Sequence, residues 1–512
     1  MTSELETQTE TKTRGDRSAS SHSPIRHWRE IIIDKRWPIS VVAIYAATVV
    51  LSSMDRFFTW DEAVFWSQSG GFDGTSVEPA PLVASRELGS SLLIGLLRLV
   101  ENDLAEVRFL WATLAFFLLV WGARRLVRYI GDRGALIFLW VYGTHWLVLA
   151  WTPSFYSYVI AANLALLAAT SYLDLLNEQG KGLWDAVLLG LFIAATFAMR
   201  PLEAALVILG MAVHFFAMNW PKVRQLFGRV SLSTLVVLMV VGIPWALDSI
   251  NRFGSVASRI EAGLSQGGQV ASGLRSNVIE YLGVLSGDRL IGAVPYWTRF
   301  VVFGVASVAA CVIVAAIAKQ GRRSMRGAPG LFIVLSATNA SFFLFWRDAL
   351  EERYFFFTMI FAAAAFGWAL NKLLGPPPGG VAVWAMASIA VIWLVTQVVA
   401  VTAYEEHRDV ISERSARVAA TMRTLSNEMP CEAITRYGSP VINIASGCRA
   451  APYYDWDSAL SFAADNPEAT PQFIYGPAFE GHFEDLPDGW IVVSNEDYRL
   501  AYWLPTSETS SG

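Results

Sequence analysis

Between residues 38 and 401 the chain is a near-continuous series of apolar stretches, each close to the length that spans a bilayer. This limits what it can fold into. The hydrocarbon core takes about 20 apolar residues as a helix, and an unpaired backbone amide in lipid is too costly to leave open. Stretches centred near residues 46, 113, 142, 164, 192, 211, 239, 307, 338, 362 and 391 fit this template, so about eleven spans are expected. Composition agrees. The 512 residues are 54% hydrophobic and 16% charged, against about 25% charged in a soluble domain, and the deficit falls in this central region. The expected fold class is an all-α polytopic membrane protein with a small α/β domain at its C-terminal end.

The flanks have a different character. Residues 1–37 carry Ser, Thr, Arg and Glu with few apolar side chains and read as a disordered tail. Arg26, Arg29, Lys35 and Arg36 precede the first apolar run. No small-residue cleavage site follows that run, which reads as a retained helix. Alternate loops at 124–133, 181, 222–229, 319–326 and 372 hold the clustered Lys and Arg. The positive-inside tendency puts these loops, and the N-terminal tail with them, in the cytoplasm. An odd number of spans then places residues 404–512 outside. The expected organisation is a tail (1–37), a membrane domain (38–403) with long exported loops at 55–103 and 249–295, and an extracytoplasmic domain (404–512). In that last domain a charged helix over 404–428 and strands at 441–445, 472–475, 490–494 and 499–504 are predicted. Residues 91–100 (SLLIGLLRLV) are too short to cross and read as an interfacial helix, with a membrane hairpin as the alternative.

Several function classes are excluded or left without support. A net charge of −5 gives no electrostatic basis for binding nucleic acid. Six His and three Cys leave no zinc framework. Cys311, inside an apolar stretch, reads as a small core residue. Cys431 and Cys448 would form a disulfide if their domain is exported; two separate buried thiols are the alternative. Residues 404–512 hold no nucleophile elbow, phosphate loop or metal motif.

The chemistry-bearing residues gather in the exported half. Trp60-Asp61-Glu62 follows the first span, Arg86-Glu87 precedes the interfacial helix, and Arg108 enters the second span. Arg200-Pro201-Leu202-Glu203 and the segment at 347–353 (RDALEER) fall at exported turns. Ionisable side chains in or beside the membrane are costly and mark functional sites. Acids beside arginines suit sugar transfer from a lipid phosphate. Arginine grips phosphate with a planar fork of donors, a carboxylate accepts the proton of an attacking hydroxyl, and positive charge stabilises the departing phosphate.

In order and spacing the chain resembles the polyprenyl-phosphate-sugar-dependent glycosyltransferases of the GT-C fold, the superfamily of the protein O-mannosyltransferases and bacterial lipid A aminoarabinose transferases. Asp61-Glu62 stands where that family has its first-loop acidic motif. Residues 102–110 (NDLAEVRFL) resemble its arginine entering the second span, 151–158 (WTPSFYSY) its aromatic exported turn, and 190–201 (GLFIAATFAMRP) its fifth-span pattern. Pro244-Trp245 and Arg353-Tyr354 resemble motifs of later spans. The resemblance covers roughly residues 38–370. It implies a polyprenyl-phosphate sugar donor and a glycan, lipid or protein acceptor. By the same resemblance Asp61 is the general base or an acid that orients the acceptor, Glu62 supports it and Glu87 is a second acid. Arg86, Arg108, Arg200, Arg353 and Tyr354 bind the carrier. A divalent cation, Mg²⁺ or Mn²⁺, could sit on Asp61 and Glu62, although the family's metal ligands have no secure counterpart before the interfacial helix.

A transporter or flippase of an anionic lipid or saccharide is the main alternative. It predicts inverted repeats and ionisable groups at the midplane; here the charges gather at one face, and no internal repeat is visible. A non-catalytic scaffold for envelope assembly is a third reading.

Overall fold

The computed structural model describes residues 24–51, 60–73, 88–177, 182–218, 223–266, 296–346, 355–374 and 381–427, together with shorter stretches between 429 and 504. It divides into two units at Ala43/Ile44. The first unit contributes the start of helix α1 (Pro24–Leu51), which carries Pro38 within it.

The second unit is mostly helical. Its first helices are α2 (Trp60–Asp73), α3 (Leu88–Arg98), α4 (Leu104–Gly143), α5 (Trp146–Trp151) and α6 (Ser157–Asn177). Next come α7 (Leu183–Met199), α8 (Pro201–Met218), α9 (Val223–Val237), a π-helical turn (Leu238–Gly242), α10 (Ile243–Phe253) and α11 (Val256–Gln266). The last long helices are α12 (Tyr296–Gln320), α13 (Ala328–Trp346), α14 (Phe356–Leu374) and α15 (Val381–Ser426). Among the described residues five helical segments are long and apolar enough to cross a membrane: Leu104–Gly143, Ser157–Asn177, Leu226–Phe253, Phe356–Leu374 and Ser388–Glu406. Shorter apolar helices accompany them. The protein is an integral membrane protein.

Two packing features set the bundle. Helix α4 runs for 40 residues but breaks at Gly131, whose φ of 77° and ψ of 161° no helix accommodates. The carbonyl of Ile130, released by the break, accepts a hydrogen bond from Asn371 Nδ2 at 2.8 Å. That answers the demand of a buried carbonyl for a donor. The predicted spans centred near 113 and 142 are the two arms of this one broken helix. Beyond the break, Gly134 and Gly367 let α4 and α14 touch backbone to backbone. A Cβ on Gly367 would lie 2.4 Å from the Gly134 carbonyl oxygen, so only glycine permits this approach. Near the break, Asp174 of α6 is buried and accepts from Arg125, Arg128 and Tyr129 of α4. Three donors on one carboxylate tie these helices at this end.

Cys311 differs from its expected place: it is exposed on α12. A membrane helix turns apolar side chains outward to lipid as readily as inward, so an apolar segment does not by itself identify its core face.

Helix α15 continues without interruption from its apolar half into the C-terminal region, where Val418, Ala419 and Met422 pack against Cys431, Ala433, Phe473 and Leu500. The strands there are β1 (Glu432–Thr435), β2 (Arg449–Pro452), β3 (Gln472–Pro477), β4 (Ile491–Ser494) and β5 (Tyr498–Trp503), with helix α16 (Trp456–Ala464) between β2 and β3. They form a sheet of order β2-β1-β3-β5-β4. β1 pairs in parallel with β2 and β3, and β5 pairs antiparallel with β3 and β4. Three predicted strands overlap β3, β4 and β5. The fourth does not: Val441 is helical, residues 442–445 lie outside the described residues, and β1 and β2 stand elsewhere. A run of four or five small and β-branched residues carries no periodicity long enough to separate strand from helix. Cys431 and Cys448 are joined by a disulfide with an S–S distance of 2.08 Å.

Candidate active site

The site forms where α2, α3, the start of α4, the aromatic turn before α6 and the α7–α8 junction meet. Local sequence fixes each piece. Asp103 caps α4, its carboxylate accepting from the backbone N–H groups of Ala105 (2.9 Å) and Glu106 (3.2 Å). This N-cap sets where the helix starts and so places Arg108 just past its first turn. In the preceding loop, the Glu101 carboxyl is held below its usual range by the backbone N–H groups of Asn102 and Asp103. At the α7–α8 junction, Arg200 precedes Pro201. A residue before proline is excluded from the helical region, and Arg200 accordingly has φ −150° and ψ 85° and ends α7. Pro201 then opens α8 with Glu203 in its first turn, the positions helix starts favour for both.

Helix α2 is held on two neighbours. Ser91 Oγ of α3 donates to Gln68 Oε1 at 2.8 Å. Arg98 of α3 lies 4.4 Å over the Trp66 ring and donates to Ser69 Oγ at 3.0 Å. Helix α3 in turn presses on the end of α7, where a Cβ on Gly89 would meet the Ala198 carbonyl oxygen at 2.4 Å.

Two acid–arginine pairs lie at this junction. Glu62 Oε1 of α2 and Arg108 Nη2 of α4 meet at 3.2 Å, both side chains wholly shielded from solvent. Arg200 Nη2 meets Glu203 Oε1 at 2.9 Å, and its Nε meets the other oxygen at 3.3 Å. The aromatic turn joins them. The Arg108 guanidinium stands 5.8 Å from the Phe155 ring centre, and Phe155 is flanked by Trp66 (5.7 Å, stacked) and Trp111 (5.9 Å, edge-on). Three residues further on, the Tyr158 ring lies 3.8 Å from the Arg200 guanidinium, and its hydroxyl accepts from Arg200. Tyr158 also packs against Phe356 at the start of α14.

The structure therefore brings together four of the residues the sequence singles out or borders: Glu62, Arg108, Arg200 and Glu203. Asp61 is placed by its backbone in the first turn of α2, beside Glu62; its side chain lies outside the described residues, as do Arg86, Glu87, Arg353 and Tyr354 entirely. Phe355, directly after the last two, is buried. Sequence reading treats Glu62 as a partner of Asp61 and Arg108 as a phosphate ligand. In the fold these two side chains face each other. A carboxylate engaged in this way is a poor ligand for a divalent cation, and among the described residues no three His, Cys, Asp or Glu side chains cluster as a metal site. The Asp61 side chain, the other half of the expected Mg²⁺ or Mn²⁺ site, lies outside the described residues, and no step is routed through a metal. Tyr158 is missed as a site residue, and Glu203 is noted only within the Arg200–Glu203 segment, without a role. The Arg-Pro-x-Glu spacing is the signal for Glu203; Tyr158 offers none beyond its place in an aromatic turn.

Taken together, the broken and paired apolar helices form a membrane-protein bundle of the GT-C fold. The particular likeness is to ArnT from Cupriavidus metallidurans. Its crystal structure bound to undecaprenyl phosphate superposes with a TM-score of 0.66 at 12% identity, over 92% of this chain and 99% of that one. The apo structure of the same protein gives a TM-score of 0.63 at 10% identity, over 94% and 98%. No family model and no curated protein sequence matches the chain.

Proposed function

We propose that the protein is an integral membrane glycosyltransferase that moves a sugar from a polyprenyl-phosphate carrier to an envelope glycan, lipid or protein acceptor at the extracytoplasmic face. One observation carries the reading: over nearly the whole length of both chains the fold matches ArnT, which was crystallised with undecaprenyl phosphate. The buried acid–arginine pairs Glu62–Arg108 and Arg200–Glu203 support the reading.

Asp61 is the acid that receives the proton of the acceptor hydroxyl as its oxygen attacks the anomeric carbon. The bond from that carbon to the phosphate oxygen breaks, and the lipid phosphate leaves with the electron pair. The transition state has oxocarbenium character. Glu62 acts one step back. Through Arg108 it pins α2 to α4 and fixes the backbone that presents Asp61. Arg200, held by Glu203 and Tyr158, supplies positive charge at the α7–α8 junction for the departing phosphate. Arg86, Arg353 and Tyr354 complete the carrier grip.

The orientation follows from the basic loops: about eleven spans, the N-terminus cytoplasmic, the C-terminal α/β domain outside. The Cys431–Cys448 disulfide supports that side, since such bonds persist in oxidising compartments. The decisive experiment compares wild type with Asp61→Asn in membranes given a radiolabelled polyprenyl-phosphate sugar. Loss of transfer by about 10²-fold or more is expected for a displaced general base, with insertion unchanged. Full transfer by Asp61→Asn, or cytoplasmic labelling of position 61, removes the assignment.

A further inference from the structure

At the opposite end of α6 and α7 from the acid–arginine pairs, a cavity of about 480 Å³ lies between α6, α7, α8 and α9. Leu176, Ile193, Met211, Phe216, Phe227 and Val230 are among its walls. The polar side chains in the wall are turned to protein partners. Ser233 Oγ donates to the carbonyls of Ala186 (2.8 Å) and Arg229 (3.1 Å), Thr234 Oγ1 to that of Val230 (3.0 Å), and Tyr172 meets His214 Nδ1 at 3.1 Å. A cavity with so few open polar groups does not hold ordered water. It opens sideways, because two of its walls, Phe227 and Phe216, are 70% and 56% exposed. In a membrane protein that surface faces lipid.

Among the described residues its rim carries one cation. Arg229 is half-buried in the second turn of α9, and its guanidinium lies over Gly182, where a Cβ would meet Nη2 at 3.1 Å and Cζ at 3.2 Å. Gly182 has φ +57°, so glycine both permits the turn and leaves room for the guanidinium. Among the described residues no carboxylate lies within ion-pair distance of Arg229. The basic positions at 181 and 222–229 put this end of the bundle at the membrane surface.

We infer that this cavity binds one acyl chain of an anionic glycerophospholipid from the surrounding leaflet, with the phosphodiester on Arg229. A dry apolar slot open to the bilayer takes a hydrocarbon chain. A guanidinium at its mouth takes a phosphate with two parallel hydrogen bonds. The phosphate on Arg229 is that of a bilayer phospholipid, because one carrier phosphate cannot reach both this rim and the acid–arginine pairs. Tyr158, which touches Arg200, and Tyr172, in the cavity wall, are separated along α6 by roughly 20 Å at the helical rise per residue. The inference needs only that the chain sits in a bilayer and stands apart from the sugar-transfer reading.

The test uses the full-length protein in nanodiscs of phosphatidylcholine doped with phosphatidylglycerol, with bound lipid counted by native mass spectrometry. Wild type is expected to retain one phosphatidylglycerol, enriched about tenfold over phosphatidylcholine. Arg229→Gln should bring the enrichment near parity while Arg229→Lys keeps part of it, and Ala212→Phe, which fills the slot, should release the lipid. Arg229 is on the rim, so a wild-type melting temperature for Arg229→Gln separates lost binding from lost folding. The proposal is overturned if wild type shows no preference, if the variants bind like wild type, or if added polyprenyl phosphate displaces phosphatidylglycerol at equal concentration.

Discussion

The carboxylate of Glu62 and the guanidinium of Arg108 meet at 3.2 Å with neither side chain reaching solvent. One belongs to the 14-residue helix α2, the other to the start of the 40-residue helix α4 that breaks at Gly131. This pair ties α2, the helix that carries Asp61, to α4. It also accounts for the coexistence of acid and arginine where hydrocarbon and protein meet: two charges shielded together cost far less than either alone.

Removing one partner should therefore be worse than removing both. Glu62→Gln or Arg108→Leu each breaks a buried ion pair, a loss of about 3–5 kcal/mol. The Glu62→Gln/Arg108→Leu double variant should recover a substantial part of that stability. Thermal unfolding in a double-mutant cycle measures the coupling; additive losses would show that the pair does not act as a unit.

The Gly134–Gly367 contact makes a sharper prediction about assembly. Gly367→Ala puts a methyl 2.4 Å from a carbonyl oxygen, and both contacting atoms are on stiff backbone. The helices must part, at a cost of about 1–3 kcal/mol. Gly228→Ala, whose Cβ would meet nothing within 4 Å, is the control on another helix. A lower melting temperature and broadened size-exclusion profile are expected for the first and not the second.

The disulfide closes a loop between positions 17 residues apart. A loop of this length stabilises by about 3 kcal/mol through the unfolded chain. Cys431→Ser, which also leaves Cys448 as a buried thiol, should make the C-terminal region more sensitive to limited proteolysis while the apolar helices stay protected. In wild type, thiol-reactive labelling of Cys431 and Cys448 should require prior reduction. Labelling without reduction would place this domain in a reducing compartment and reverse the orientation drawn from the basic loops.

Much of the fold is legible one segment at a time. Each apolar stretch has to be helical in lipid, so the helices at 157–177, 183–199 and 356–374 stand where hydropathy puts them. The RP dipeptide at 200–201 ends one helix and begins the next by sterics alone. The break at Gly131 is harder to read: the sequence around it is basic and helical on both sides, and only the φ of one residue divides them. The strand expected at 441–445 fails for a related reason, being too short for periodicity to decide.

Sequence by itself determined the membrane class, the helix positions and the end of the bundle where acids and arginines collect, because bilayer thickness, proline sterics and capping all act within a few residues. Only the tertiary structure decided which charge meets which. Glu62 finds Arg108, Arg200 finds Tyr158, and Arg229 stands beside an apolar slot. Such pairings depend on how separate helices pack, and side-chain packing over tens of residues leaves no local pattern in the chain.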